Sequence, residues 1–72
     1  MSLDTAKSLL AEALLIETGA IDDGARIGSI EQWDSLAHMR LLTAIEEKLG
    51  KPLDAETAAA IESLADVARV LG

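Results

Sequence analysis

Asp34, Ser35 and His38 fall within five consecutive residues, Asp34-Ser35-Leu36-Ala37-His38, and they are the residues of this chain best placed to do chemistry. Asp34 suits the N-cap of a helix, because its carboxylate can accept from the unpaired amides of the first turn and its charge matches the positive end of the helix dipole. Ser35 then takes the first helical position, where backbone amides and the dipole also favour a phosphate. The spacing therefore presents one hydroxyl where a phosphate-bearing group can be attached, although a plain capped helix would carry the same residues. The spacing argues against a hydrolytic triad. The aspartate of a triad must orient the histidine from its far side while an oxyanion hole faces the serine, which one helical turn does not allow. Asp22-Asp23 and Glu46-Glu47 are adjacent carboxylates without histidine, cysteine or a calcium-loop spacing, so no dedicated metal site is expected. The loop glycines lack the spacing and the preceding strand of a nucleotide-binding turn.

Composition narrows the field further. The 72 residues allow one small domain, expected to span 1–72, with no room for a second core. Half of the residues are hydrophobic, yet Trp33 is the single aromatic and the rest is mostly Leu, Ala and Ile, which favours helices over strands. With no cysteine, the polypeptide has neither a disulfide nor a thiol nucleophile, and any thiol chemistry must come from an added group. Thirteen acidic residues against six basic ones argue against nucleic acid as a partner. No apolar run reaches membrane-spanning length and the start lacks the pattern of a signal peptide, so a cytoplasmic protein without membrane insertion is expected. The methionine start and clean ends favour a chain that stands alone.

The elements that must position Ser35 follow from periodicity and caps. Leu3, Ala6, Leu9, Leu10, Ala13 and Leu14 repeat at helical spacing, which with Ser2 or Asp4 as cap predicts a first helix over about residues 4 to 17, stopped by Gly19. Residues 19 to 33, with Gly19, Gly24 and Gly28, read as a long ordered loop that Ile21, Ile27 and Ile30 can pin to the core. The second helix is predicted over 35 to 49, ending at Gly50 with Pro52 beyond. Asp54 caps a short third helix through Ile61, and Ser63 with Asp66 opens a last one ending near Leu71. The expected fold is all-α: a small four-helix bundle with a long first loop and a short third helix.

The second helix carries two apolar surfaces. Leu41, Leu42, Ile45 and Leu49 gather on a core-facing stripe, whereas Leu36, Met39 and Thr43 project about a third of a turn away beside Arg40 and Glu47. Leu36 and Met39 either pack beneath the long loop or form a docking patch next to Ser35, and methionine suits a patch that meets several partners. Trp33 precedes the cap and His38 is the fourth helical residue, positions that commonly pack together and set the angle at which the chain joins its helix; packing is the first reading of His38, with contact to an added phosphate or action as a base as the alternatives.

The segment Trp33-Asp34-Ser35-Leu36-Ala37-His38-Met39-Arg40-Leu41-Leu42 resembles the acyl carrier protein family, in which the serine of an Asp-Ser-Leu motif carries 4′-phosphopantetheine. The resemblance runs from end to end through the order of element lengths. It implies that a phosphopantetheinyl transferase modifies Ser35 from coenzyme A, with magnesium held mainly by the transferase and Asp34 assisting. The terminal thiol of the arm would explain how a cysteine-free chain carries acyl groups as thioesters. By the same resemblance the chain is a non-catalytic monomer that presents acyl groups to loading and transferring enzymes, docking through its second helix. The docking residues would be Leu36, Met39, Arg40 and Thr43, with Glu46 and Glu47 as the negative patch. Ala37 and Arg40 stand where many relatives have acidic residues, and Glu31-Gln32-Trp33 replaces their frequent Leu-Gly. These departures point to a specialised lipid or polyketide-type pathway rather than general fatty acid biosynthesis. A peptidyl or aminoacyl carrier remains an alternative, although its usual glycine pair before the motif is absent. An unmodified helical interaction module is the other.

Overall fold

The computed structural model describes residues 3–72. Its regular elements are helices: α1 (Leu3–Leu14), α2 (Ser35–Leu49), α3 (Ala55–Ala60) and α4 (Leu64–Leu71), with a 3-10 turn at Thr18–Ala20. Helices α1, α2 and α4 pack on one another, while α3 buries no residue completely and lies at the side. The core is built from Ala6, Leu10 and Leu14 of α1, Ala37, Leu41 and Ile45 of α2, and Leu64 and Val67 of α4, with Trp33 and Ile61 between the helices. The alanines let the helix axes approach, and the indole is the largest fully buried side chain.

The starts of α2, α3 and α4 lie where the caps place them, while α3 ends at Ala60, one residue before the expected Ile61, which is already extended. The Asp34 carboxylate accepts from Ala37 N at 2.9 Å, that of Asp54 from Thr57 N at 2.7 Å, and the Ser63 hydroxyl from Asp66 N at 3.2 Å. Asp66 completes a variant of the capping box, since its Oδ2 accepts from Glu62 N rather than from the cap residue itself. Gly50 ends α2 at φ 74°, a left-handed conformation for which glycine carries no steric cost.

Helix α1 departs from the expected span. It stops at Leu14, not at 17, and Gly19 lies in the following 3-10 turn instead of ending the helix. The stop is a Schellman motif: Ile16 N donates to Ala11 O at 3.1 Å and Leu15 N to Glu12 O at 3.3 Å. Leu15 takes the left-handed position, at φ 60°, that glycine usually fills. Asp4 lies within the first turn of α1 and is not its cap, while Ser2 is outside the described residues.

The long loop is pinned mainly by its backbone. Ile21 is buried and Ile30 packs against the core, but Ile27 is exposed, contrary to the expectation for it. In its place Ala25 is buried, and a short antiparallel bridge joins the loop to the start of α4 through Leu64 N to Ala25 O and Ile27 N to Glu62 O, both 2.9 Å. An ion pair from Lys7 to Asp23 ties the same loop to α1. Two backbone bonds then close the turn into Asp34, Gly28 N to Trp33 O at 3.2 Å and Trp33 N to Ile30 O at 2.9 Å.

Candidate functional site

Ser35 is exposed at the first position of α2. Its neighbours hold the helix end in place without covering it. Asp34 is extended at φ −103°, ψ −173°, and its Oδ1 is engaged by Ala37 N, while its carbonyl accepts the first helical bond from His38 N at 2.9 Å. An uncovered hydroxyl at the positive end of a fifteen-residue helix suits a phosphodiester: backbone amides and dipole favour the negative charge there.

Trp33 and His38 form the pair expected of the positions flanking a helix start, and they add a polar link. The indole Nε1–H donates to His38 Nδ1 at 3.0 Å, with the rings stacked at a centroid distance of 6.1 Å and an interplanar angle of 27°. Because Nδ1 accepts, the neutral ring carries its proton on Nε2. Burial pushes His38 below the ordinary histidine value of 6.5, and the Ile61 backbone carbonyl offsets part of that. His38 therefore packs and orients. Since Trp33 occupies Nδ1 and Ala37 occupies the Asp34 oxygen, Asp34, Ser35 and His38 do not assemble a triad.

The remaining site residues divide into those with external and internal roles. Leu36 and Met39 are 66% and 64% exposed, which removes the reading in which they pack beneath the loop. With Arg40, Thr43, Ala44 and Glu47 they line an open groove of ≈ 300 Å³. Glu46 is not in that lining: its Oε2 accepts from Leu53 N at 2.9 Å and holds the α2–α3 connection. Arg40 lines the groove while its Nε donates to Ala13 O at 3.0 Å, capping a carbonyl left free at the end of α1. Ala37 is fully buried, so it belongs to the core and offers nothing to a partner. Of the core stripe, Leu41 and Ile45 are fully buried, whereas Leu42 and Leu49 are half-buried at its edge.

A second groove, of ≈ 380 Å³, lies between α2 and α3 and is lined by Ile27, His38, Leu42, Ala58, Ala59, Ile61 and Glu62. A wider concavity of ≈ 810 Å³ around Leu15, Ile16 and Glu17 has no wall from α2 and is separate from the attachment serine. The tie from Arg40 to α1 and the exposure of Leu15 escape sequence reasoning, since neither has a local signature. Among the described residues no three His, Asp or Glu side chains gather to hold a metal ion, and no helix is long and apolar enough to cross a membrane.

Comparison with known proteins agrees with this geometry. No curated protein matches the chain at a significant level. A family described as the phosphopantetheine attachment site matches residues 4–71, which takes in all four helices almost completely. With an all-helical fold around an exposed Asp-Ser-Leu helix start, the chain belongs to the phosphopantetheine-binding carrier family, whose members bear 4′-phosphopantetheine covalently on a serine.

Proposed function

We propose that Ser35 is the attachment residue and that the protein is an acyl carrier of a specialised lipid or polyketide-type pathway. The observation that carries this reading is the exposed Ser35 hydroxyl at the capped N-terminus of α2. In the modification the Ser35 Oγ–P bond forms as the pyrophosphate P–O bond of coenzyme A breaks. The hydroxyl proton passes to a base of the transferase and adenosine 3′,5′-bisphosphate leaves. Asp34 keeps the first turn wound, so that the hydroxyl and the amides beside it keep a fixed orientation. When bound, the arm supplies a terminal thiol that holds an acyl group as a thioester.

The chain's own contribution is presentation. Tethering raises the local concentration of the acyl group at each partner, and weak docking through Leu36, Met39, Arg40, Thr43 and Glu47 lets the carrier move on. Glu46 contributes by fixing the α2–α3 connection behind that face. The partners are a phosphopantetheinyl transferase and acyl-loading and acyl-transferring enzymes of the cytoplasm, which the carrier meets as a monomer. The groove beside Leu42 and Ile61 is where a short acyl chain can shelter between α2 and α3. Glu31-Gln32-Trp33 before the motif, without a glycine pair, favours an acyl over an aminoacyl load.

The test is intact mass after incubation with coenzyme A and a broad-specificity transferase. One phosphopantetheinyl group is gained by the wild type and none by Ser35→Ala. An unchanged wild-type mass would favour an unmodified interaction module.

A further inference from the structure

The acidic charge of this chain is unevenly spread. Residues 3–24 hold five carboxylates and one lysine, a net −4 of the chain's −7, whereas α2 is neutral because Arg40 and Lys48 balance Glu46 and Glu47. That lysine, Lys7, is already paired with Asp23. Glu12 and Glu17 are exposed and make no ion pair among the described residues. They stand before and after Leu15 in sequence, and with Leu15, Ala11 and Ile16 they line the wide concavity at the end of α1.

The fold of the chain does not account for a leucine at position 15. The Schellman motif that ends α1 places this residue at φ 60°, where glycine is free of strain and a leucine is not. The apolar contact that usually accompanies the motif is made by Ile16, which packs against the core, while Leu15 is 79% exposed. A clasp from Arg40 Nε to Ala13 O at 3.0 Å fixes the end of α1 against α2, so the leucine is presented on an anchored corner. Strain kept at an exposed apolar residue points to a contact outside the chain.

We propose that the corner after α1 is a docking surface separate from that of α2, for a basic amphipathic helix of a partner enzyme that seats an apolar side chain against Leu15 while flanking lysines or arginines meet Glu12 and Glu17. Charge selects this occupant, because a cationic helix is drawn to the acidic corner and not to neutral α2. The concavity has no wall from α2, so a partner held here leaves Ser35 free for another enzyme and raises the local concentration of the arm.

The test titrates the full chain with a Leu/Lys peptide of about fourteen residues patterned as an amphipathic helix, followed by amide chemical shifts. Shifts change at Ser8, Glu12 and residues 15–18 and leave Leu36 and Met39 unmoved. Leu15→Asn, which tolerates the left-handed backbone, keeps the thermal midpoint and weakens binding about tenfold, the size expected on losing one aliphatic anchor. The double variant Glu12→Gln, Glu17→Gln weakens it about threefold or more, and wild-type affinity falls about tenfold between roughly 0.05 and 0.5 M NaCl. No binding, shifts centred on Leu36 and Met39, equal binding by the same peptide with Ser in place of Leu, or wild-type affinity in Leu15→Asn overturns the proposal. So does a concentration-dependent dimer abolished by Leu15→Asn, which would assign the corner to a second copy. A chain that accepts no phosphopantetheine yet binds the peptide here keeps this surface and loses only the carrier reading.

Discussion

Trp33→Phe separates the indole's hydrogen bond from its bulk. The substitution keeps an aromatic ring in the core but removes the Nε1–H that donates to His38 Nδ1 at 3.0 Å. A typical net hydrogen bond contributes about 1 kcal/mol, and an acceptor left unpaired costs about 1 to 3 kcal/mol when fully buried. His38 is half-buried, so water recovers part of that loss, and a destabilisation of about 1 to 1.5 kcal/mol is expected at pH 7.5. The sign of the pH dependence follows from the lowered His38 pKa. Between the folded value and 6.5 the unfolded chain binds more protons than the folded one, so stability falls as pH drops through that window. Protonation would also set an Nδ1–H against the indole N–H, a conflict that Trp33→Phe removes. The difference between wild type and variant should therefore be smaller at an acidic pH below the folded value of His38 than at about pH 7.5. Asp54 and Asp66 have pKa values below the ordinary 3.8, so the stability they contribute is lost only as pH falls below that value and does not enter this window. Urea denaturation followed by circular dichroism at both pH values, with the His38 ring titrated by NMR, measures both quantities. Equal destabilisation at the two pH values, or a His38 that titrates at or above 6.5, would refute the hydrogen-bonded pair.

Three further outcomes follow from the same structure. Asp34→Ala should cost about 1 kcal/mol by freeing Ala37 N, with Asp34→Asn recovering most of it in a urea titration. Leu15→Gly should stabilise by about 0.5 to 1 kcal/mol, the left-handed strain relieved less the added freedom of the unfolded chain, and so raise the thermal midpoint by a few degrees. Arg40→Gln should cost about 0.5 to 1 kcal/mol and speed amide exchange at the end of α1, since it removes the side chain that caps Ala13 O; unchanged exchange there would show that the clasp carries no weight.

Much of this arrangement was legible because it is written in local chemistry. Asp34, Asp54 and Ser63 each satisfy the amide three residues on, and Gly50 permits a backbone that other residues resist, so α2, α3 and α4 begin, and α2 ends, where those residues stand. Ser35 and the Trp33–His38 pair are fixed by the same caps. What escaped depends on contacts distant in sequence or on a rule broken locally. Helix α1 ends at a leucine in a glycine's conformation, which no propensity foretells. Ala37 resembles a surface position by its place beside the motif, yet only the packing of α2 on α1 and α4 reveals it as core. Arg40 and Glu46 looked like surface charge, and their backbone partners lie 27 and 7 residues away. Ile27 was a reasonable anchor by type, but the loop is held at that point by its amide instead of its side chain.

The most direct measurement is the intact mass of the protein purified from its own host, followed by fragmentation to locate any added group. The account predicts one phosphopantetheinyl group, mapped to the oxygen of Ser35. A chain bare at that residue while the host's transferase is active, or modified at another one, would contradict it.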